Sequence, residues 1–186
     1  MTRFPSLSAS TAPEAARPVI AASAQKFGFV PSPVARAAAS PPLLQHMLAG
    51  FAAFDRTPLA KLEREVVAMT VAFENGCHYC MALHTAELVR AEHTALADEL
   101  RSGQPLSAPR LEALRVFARA VLRDRGRVPT EIWARFEAAG FTSSDALAVV
   151  LGVGAYALST LANIVTGAEL DPALAPFAWA PPATDA

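Results

Sequence analysis

The two cysteines of this 186-residue chain lie three positions apart, in the stretch Cys77-His78-Tyr79-Cys80. A histidine, His84, follows four positions after the second cysteine. Thiols and an imidazole at this spacing can form a structural disulfide, hold a metal ion, or carry out reversible redox chemistry. Each of these chemistries makes different demands on the rest of the chain.

A structural disulfide explains the pair poorly. A bridge between Cys77 and Cys80 closes so short a loop that the chain-entropy relation assigns it only about 2 kcal/mol. A chain of 186 residues can also bury a core large enough to fold without such a bridge. The sequence therefore favours a chemical role for the two thiols.

A zinc site requires four ligands of suitable type. The candidates are Cys77, Cys80, His84 and His93. Their spacing differs from that of the common zinc modules. His93 also lies beyond the predicted end of the helix that carries His84. We therefore predict no bound metal.

A redox role accounts for the position of the pair. The motif follows Asn75-Gly76, which ends one helix, and it opens the next. Its sulfurs then lie near unpaired backbone N–H groups and the positive end of the helix dipole, an environment that lowers a thiol pKa. Cys80 and His84 share one helix face, one turn apart. Cys80 is therefore the predicted nucleophile beside a base, and Cys77 its resolving partner.

The two residues between the cysteines are predicted auxiliary residues. His78 points away from the face that carries the nucleophile and the base, which is typical of a partly exposed side chain at a helix start. Tyr79 can pack beside the sulfurs or donate its hydroxyl, and both roles stay open. The remaining histidines, His46 and His93, are predicted surface or packing residues.

The predicted base requires an orienting group, because a buried imidazole needs a carboxylate or carbonyl on its second nitrogen. Glu65, on the preceding helix, shares a face with Leu62 and Met69, which places its carboxylate at the edge of an apolar interior. An unpaired carboxylate is costly there. Glu65 is therefore the predicted partner of His84, with a surface salt bridge as the alternative that periodicity leaves open.

The hydrophobic pattern predicts helices throughout, since no alternating β-branched run lies between hairpin signals. Thr57 and Pro58 have the types expected of a cap and a first helical residue. The predicted helices cover residues 13–26, 34–39, 42–54, 58–74, 77–90, 94–101, 109–123, 131–139 and 144–165. We predict one all-α domain over residues 1–186, with residues 1–12 and 181–186 poorly ordered.

Composition narrows the function classes. The chain is 53% hydrophobic and 18% charged, and its formal net charge is -1. Nucleic-acid binding requires a concentrated basic surface, so no nucleic-acid partner is predicted. The excess of apolar residues indicates surface buried inside the fold or against identical subunits. No dinucleotide or phosphate-loop fingerprint occurs in the sequence, so no organic cofactor is predicted.

Two segments bear on localisation. The stretch MTRFPSLSAS has no apolar region after its arginine, so no secretory signal is predicted. Residues 146–166 are uncharged and nominally long enough to span a bilayer. Their small residues and polar side chains, among them Ser159 and Asn163, favour a buried helix instead. We expect a cytoplasmic protein without a membrane partner.

The segment REVVAMTVAFENGCHYCMALHTAEL resembles the alkylhydroperoxidase D-like and carboxymuconolactone decarboxylase superfamily. The redox branch of that superfamily carries the pattern E-x11-C-x2-C-x3-H. The matching positions are Glu65, Cys77, Cys80 and His84. The upstream segment GFVPSPVARAAASPPLLQHM resembles the peroxidase-related subset. The likeness covers roughly residues 27–167, with a redox core at about 41–125.

The resemblance implies an alkylhydroperoxidase D-like fold and a thiol-dependent peroxidase that reduces hydrogen peroxide or alkyl hydroperoxides. It implies that Cys80 is the peroxidatic cysteine and that Cys77 resolves it. It implies that Glu65 and His84 relay the proton. It also implies a lipoyl- or thioredoxin-type dithiol as reductant and assembly as a homo-oligomer, a trimer or hexamer.

One position departs from the pattern of the best-known hydroperoxidases. Those proteins carry a relay histidine immediately before the second cysteine, where this chain has Tyr79, with His78 one position earlier. The departure predicts a shortened relay. Two other functions stay open: a carboxymuconolactone decarboxylase-like enzyme, although the decarboxylases lack the cysteine pair, and a non-catalytic oligomeric thiol sensor.

Overall fold

The computed structural model describes residues 3–182 of the chain. Within these residues the chain forms nine α-helices and two 3₁₀ turns, and no strand. The helices are α1 (Arg17–Phe27), α2 (Ser32–Ala37), α3 (Pro41–Phe54), α4 (Lys61–Glu74), α5 (His78–Arg90), α6 (Thr94–Ser102), α7 (Pro109–Arg123), α8 (Thr130–Ala138) and α9 (Ser143–Thr166). The 3₁₀ turns are Glu14–Ala16 and Pro172–Phe177. The prediction of an all-α fold is confirmed.

Helix α4 is the centre of the fold. It packs against α5, α6, α7 and α9. Residues 66–72 are buried without interruption, as expected for a helix that is apolar on every face. The functional elements are therefore arranged around a helix that solvent does not reach over two turns.

The turn between α4 and α5 places the cysteines. Gly76 has a φ of 66°, in the left-handed region that glycine adopts without steric cost. The N–H of Cys77 then donates to the carbonyl of Ala72 at 2.9 Å, which closes the end of α4. This turn leaves both cysteines at the start of α5 buried.

The predicted start of α4 at Thr57 and Pro58 is wrong, since the helix begins at Lys61. The Thr57 hydroxyl instead donates to the carbonyl of Phe54 at 2.7 Å and closes α3. The start of α4 is capped from within the helix, because the carboxylate of Glu63 accepts the backbone N–H of Ala60 at 2.8 Å.

Two hydrophobic clusters form the interior. The larger cluster is built mainly by α4 to α9 and includes both cysteines. The smaller cluster belongs to α1, α2 and α3 and includes Ile20, Val34 and Met47. The candidate site lies where the two clusters meet.

The described part of the N-terminal segment makes specific contacts. The N–H of Leu7 donates to the carbonyl of Ala35 at 3.0 Å. Ala12 is only 3% exposed. These contacts join the segment, for which the sequence predicts poor order, to the smaller cluster. Residues 1 and 2 of that segment lie outside the described residues.

The C-terminal segment packs beside α4 and α6. The indole Nε1–H of Trp179 donates to the carbonyl of Arg101 at 2.9 Å. The Trp179 ring also lies 5.6 Å from the ring of Phe73. Of residues 181–186, for which poor order is predicted, 183–186 lie outside the described residues.

Helix α9 is long and apolar enough to cross a membrane by length and composition alone. Half of its most hydrophobic window is buried inside the protein, where the helix packs against α2, α3, α4 and α7. Its inward face is therefore buried as predicted. The opposite side, here called the outer face of α9, consists of six exposed apolar residues: Leu147, Val150, Leu151, Leu161, Ile164 and Val165.

Candidate active site

The two thiols lie at the buried beginning of α5. Cys77 is the residue immediately before the helix, with the extended backbone typical of a cap (φ -83°, ψ 96°), and Cys80 lies in the first turn. Both are free thiols, and only 1% of Cys77 and 4% of Cys80 is exposed. The prediction that the pair opens a helix is confirmed.

A third polar residue contacts the thiols from α9. The side-chain Nδ2 of Asn163 donates to Cys80 Sγ at 3.3 Å and to Cys77 Sγ at 3.7 Å. Asn163 is buried and belongs to the long apolar helix α9. Sequence reasoning missed this role. The available signal was the amide itself, because a buried polar group in an apolar helix needs a partner.

The two thiols share one negative charge. The hydrogen bond donated by the Cys80 thiol, with further bonds from the Cys80 backbone N–H and from Asn163, outweighs burial and lowers the pKa of Cys77 to about 6. The same thiol–thiol hydrogen bond, together with burial and the charge of Cys77, raises the pKa of Cys80 well above its usual value. The pair therefore favours the negative charge on Cys77, which accepts a hydrogen bond from the Cys80 thiol.

The two sulfurs also differ in their access to a cavity. A cavity of about 790 Å³ lies between the two hydrophobic clusters. Cys80 and His84 both line this cavity, whereas Cys77 does not. The Cys77 sulfur, which has the lower pKa, is thus enclosed. The Cys80 sulfur, which has the higher pKa, faces a space that a substrate can enter.

His84 has the partner that the sequence predicts. Its Nδ1 lies 2.7 Å from Glu65 Oε2, and the imidazole is 7% exposed. The Tyr156 ring packs edge-on against the imidazole, with 5.2 Å between the ring centroids. Because Glu65 occupies Nδ1, the other nitrogen, Nε2, is the atom on which His84 can exchange a proton with a bound molecule.

The Glu65 carboxylate is held in its charged form. Burial raises its pKa, but the positive charge of protonated His84 and the hydrogen bond between the two lower it, helped by the charges of Lys61 and Arg64. The balance lies below the ordinary pKa of a glutamate. Glu65 therefore remains a hydrogen-bond acceptor that fixes the imidazole through the neutral pH range.

Tyr79 is committed to a structural contact. Its hydroxyl donates to Asp171 Oδ2 at 2.7 Å, and the same oxygen accepts the N–H of Ser32 at 3.1 Å. Burial and this hydrogen bond raise the pKa of Tyr79 above its usual value. Of the two roles left open for Tyr79, the hydroxyl donates, but to a carboxylate that ties α5 to the C-terminal segment and to α2.

The remaining histidines lie away from the thiols. His78 is exposed, as predicted, and its positive charge is a minor cause of the low pKa of Cys77. His46 and His93 are exposed as well. Among residues 3–182, no group of three or more His, Cys, Asp or Glu side chains could hold a metal ion.

We expect the reduced protein to show one thiol that titrates at a pH of about 6, seen as the ultraviolet absorbance of a thiolate. Because the folded pKa of Cys77 is lowered from 9.0, the unfolded chain binds a proton that the folded one lacks between these two values. The unfolding free energy of the reduced protein should therefore decrease as the pH falls from about 9 to about 6. Urea denaturation across this range measures the effect.

Two controls accompany this titration. The substitution Cys77→Ser should remove the low-pH thiolate signal, and the oxidised protein should lack the pH dependence of stability that the thiolate causes. A low-pH signal that persists in Cys77→Ser would assign the charge to Cys80 and contradict the interpretation.

Comparisons with known proteins agree with this fold. Residues 42–102, which contain Glu65, both cysteines and His84, match the carboxymuconolactone decarboxylase family. A solved structure from Ralstonia eutropha JMP134, described as an alkylhydroperoxidase AhpD core and an uncharacterized peroxidase-related protein, superimposes with a TM-score of 0.81 at 25% identity. The superposition covers 92% of this chain and 93% of that one.

A second solved structure, an uncharacterized peroxidase-related protein from Silicibacter sp. TM1040, superimposes with a TM-score of 0.76 at 21% identity and covers 92% of each chain. No curated protein matches the sequence. The chain therefore has the all-α fold of these solved structures. The predicted resemblance to the alkylhydroperoxidase D-like and carboxymuconolactone decarboxylase superfamily is confirmed.

Proposed function

We propose that the protein is a thiol-dependent peroxidase that reduces hydroperoxides through Cys77 and Cys80. The observation that carries the proposal is a difference between the two sulfurs. Cys80 lines a large cavity, whereas Cys77 does not line it and has the lower pKa. An attacking sulfur needs access to the substrate, and a resolving sulfur needs to be ionised. The description of the Ralstonia protein as peroxidase-related supports the same class of reaction.

In the first half-reaction His84 accepts the proton of the Cys80 thiol at Nε2 while Glu65 holds Nδ1. The Cys80 thiolate attacks the terminal peroxide oxygen, the O–O bond breaks, and the alkoxide leaves with the bonding electrons. His84 then returns the proton to the alkoxide. The products are a Cys80 sulfenic acid and an alcohol, or water when the substrate is hydrogen peroxide.

In the second half-reaction the Cys77 thiolate attacks the sulfenic sulfur of Cys80, which forms the disulfide and releases hydroxide. Asn163, which donates to both sulfurs, helps to hold them side by side for this step. A lipoyl- or thioredoxin-type dithiol reduces the disulfide by exchange and is itself oxidised to a disulfide. We place the protein in the cytoplasm, where such donors are kept reduced.

The test is peroxide consumption with excess dithiol in the wild type, Cys80→Ser and Cys77→Ser. The wild type should turn over continuously. Cys80→Ser should not consume peroxide beyond the uncatalysed rate, because the remaining sulfur does not line the cavity. Cys77→Ser should consume about one equivalent and then slow sharply, since its sulfenic acid has no resolving thiol.

Equal inertness of all three proteins would exclude a peroxidase. A wild type that oxidises once and does not turn over would instead indicate a thiol sensor. Conversion of a muconolactone-type substrate by Cys80→Ser at the wild-type rate would indicate a decarboxylase. The enclosed thiol pair with a histidine and a carboxylate beside it favours redox chemistry over both alternatives.

We further propose that the protein is a homo-oligomer, a trimer or hexamer as the resemblance implies, and that the chain associates with copies of itself through the outer face of α9. The exposed fractions of the six apolar side chains on this face range from 38% to 71%. Helix α9 carries no charged side chain after Asp145, so identical faces can meet without repulsion. Gly154 lies in the middle of this face with open space beside it, which allows close approach of a second helix.

A further inference from the structure

The cavity beside Cys80 is much larger than a peroxide group requires. Its volume of about 790 Å³ lies in the range of pockets that enclose small organic ligands of many atoms. A water molecule, which is similar in size to half of hydrogen peroxide, occupies only about 30 Å³ in the liquid. The cavity therefore has room for a substrate with a large part that does not react.

The cavity extends along α5. Cys80, Leu83, Glu87 and Arg90 all line it, and they lie along one side of this helix. Ten residues separate Cys80 from Arg90, which corresponds to about 15 Å along an α-helix. The reacting sulfur and a guanidinium thus line the same cavity at positions about 15 Å apart along the helix.

Much of the cavity wall is apolar. Helices α1, α2 and α3 contribute aliphatic and aromatic side chains, among them Val19, Val34, Met47, Leu48 and Phe51. Burial of methylene groups against such walls is favourable, and hydrogen peroxide has none to bury. A substrate with a long aliphatic chain can pack against these apolar walls.

The cavity has a net positive charge among its acidic and basic lining side chains. Arg90 and Lys26 line it together with a single carboxylate, Glu87, which pairs with Arg90 at 2.6 Å. Lys26 has no carboxylate partner among residues 3–182. Phe27, which is 44% exposed, lies beside the Lys26 ammonium, so the rim offers apolar surface and a cation together.

We infer that the substrate is the hydroperoxide of a long-chain aliphatic acid, with its chain along α5, its peroxide at Cys80 and its carboxylate beside Lys26 and Arg90. This inference rests on the proposed peroxidase function. An extended chain advances about 1.25 Å per carbon, from a bond length of about 1.5 Å and tetrahedral angles. A separation of about 15 Å therefore places about twelve carbons between the carboxylate and the peroxide.

The first measurement compares substrates. The wild type should reduce a long-chain acid hydroperoxide with a kcat/KM at least about 100-fold above that for hydrogen peroxide, because each methylene group alone can contribute about tenfold or more. The methyl ester of the same acid should be reduced less efficiently, since it lacks the charge that Lys26 recognises. Lys26→Glu should lower kcat/KM for the acid but not for the ester.

The second measurement uses a variant in which a larger side chain narrows the cavity. Ala22 lines it, and Ala21 on the same exposed part of α1 does not. Ala22→Trp should lower kcat/KM for the long-chain acid at least about tenfold more than it lowers kcat/KM for hydrogen peroxide. Ala21→Trp is the matched control, because it adds the same ring to the solvent side, and it should behave as the wild type.

A third measurement does not depend on catalysis. Calorimetry should show that the corresponding hydroxy acid binds to the wild type and Ala21→Trp and is weakened in Ala22→Trp. Equal kcat/KM for all peroxides, an ester as good as the acid, or no binding of the hydroxy acid would overturn the inference and leave the peroxidase proposal intact. Binding of the hydroxy acid without reduction of any peroxide would overturn the proposed function and leave the acid-binding cavity.

Discussion

We expect the replacement of Glu65 by glutamine to lower kcat for the proposed peroxide reduction by about 10²- to 10⁴-fold, the usual contribution of a positioned acid–base group. The carboxylate accepts a hydrogen bond from His84 Nδ1 at 2.7 Å, and glutamine has nearly the same shape but no charge. In the proposed mechanism His84 takes the Cys80 proton, and without the Glu65 charge the resulting imidazolium would not be stabilised and the imidazole could rotate. Steady-state kinetics with excess dithiol measures the loss.

The expected pattern separates this role from a purely structural one. KM and the midpoint of thermal unfolding should change little in Glu65→Gln, because the substitution preserves the volume of the side chain. Glu63→Gln is the matched control. Glu63 lies on the same helix and is buried, but it caps Ala60 and pairs with Arg110 at 2.9 Å. This control should lower stability and leave kcat within about twofold of the wild type.

Two results would contradict the assignment of Glu65. The first is a Glu65→Gln protein with the kcat of the wild type. The second is a loss of kcat that merely follows the fraction of unfolded protein. In either case His84 would be a packing residue, and Cys80 would have to lose its proton by another route, such as transfer along its hydrogen bond to Cys77.

Glutamates placed on the outer face of α9 should dissociate the protein into single chains. In the double variant Leu161→Glu and Val165→Glu, each chain loses two apolar side chains that are 54% and 67% exposed in the isolated chain. Complete burial of such a side chain contributes about 1.5–3 kcal/mol, and two carboxylates would have to be desolvated as well. The association constant should therefore fall by at least about 10³-fold.

Sedimentation velocity over a range of protein concentrations measures this change. The matched control is Ala134→Glu with Ala138→Glu, which places two glutamates at the same spacing on exposed positions of α8. The control should sediment as the wild type does. A wild type that is a single chain at every concentration would show that the chains do not associate. A double variant on α9 that still associates would show that they associate through another surface.

The sequence alone determines the local part of the site. Cys80 and His84 are four residues apart on one helix, and the 3.6-residue period places them on the same face in any fold. Asn75-Gly76 ends the preceding helix wherever that helix packs, because Gly76 supplies the left-handed conformation. The all-α class follows from the same periodicity. The pairing of Glu65 with His84 was a weaker inference, since it joins two helices, and it rested on the apolar edge around Glu65 and on the family pattern.

Only the tertiary structure decided the contacts that cross the chain. Asn163 reaches the sulfurs from 83 residues beyond Cys80, and Asp171 accepts the Tyr79 hydroxyl from 92 residues away. Helical periodicity specifies which face is buried but not which neighbour it meets, because the packing of all the helices together sets that choice. The same packing lowers the pKa of Cys77, which is enclosed at the helix start, and places Cys80 rather than Cys77 at the cavity.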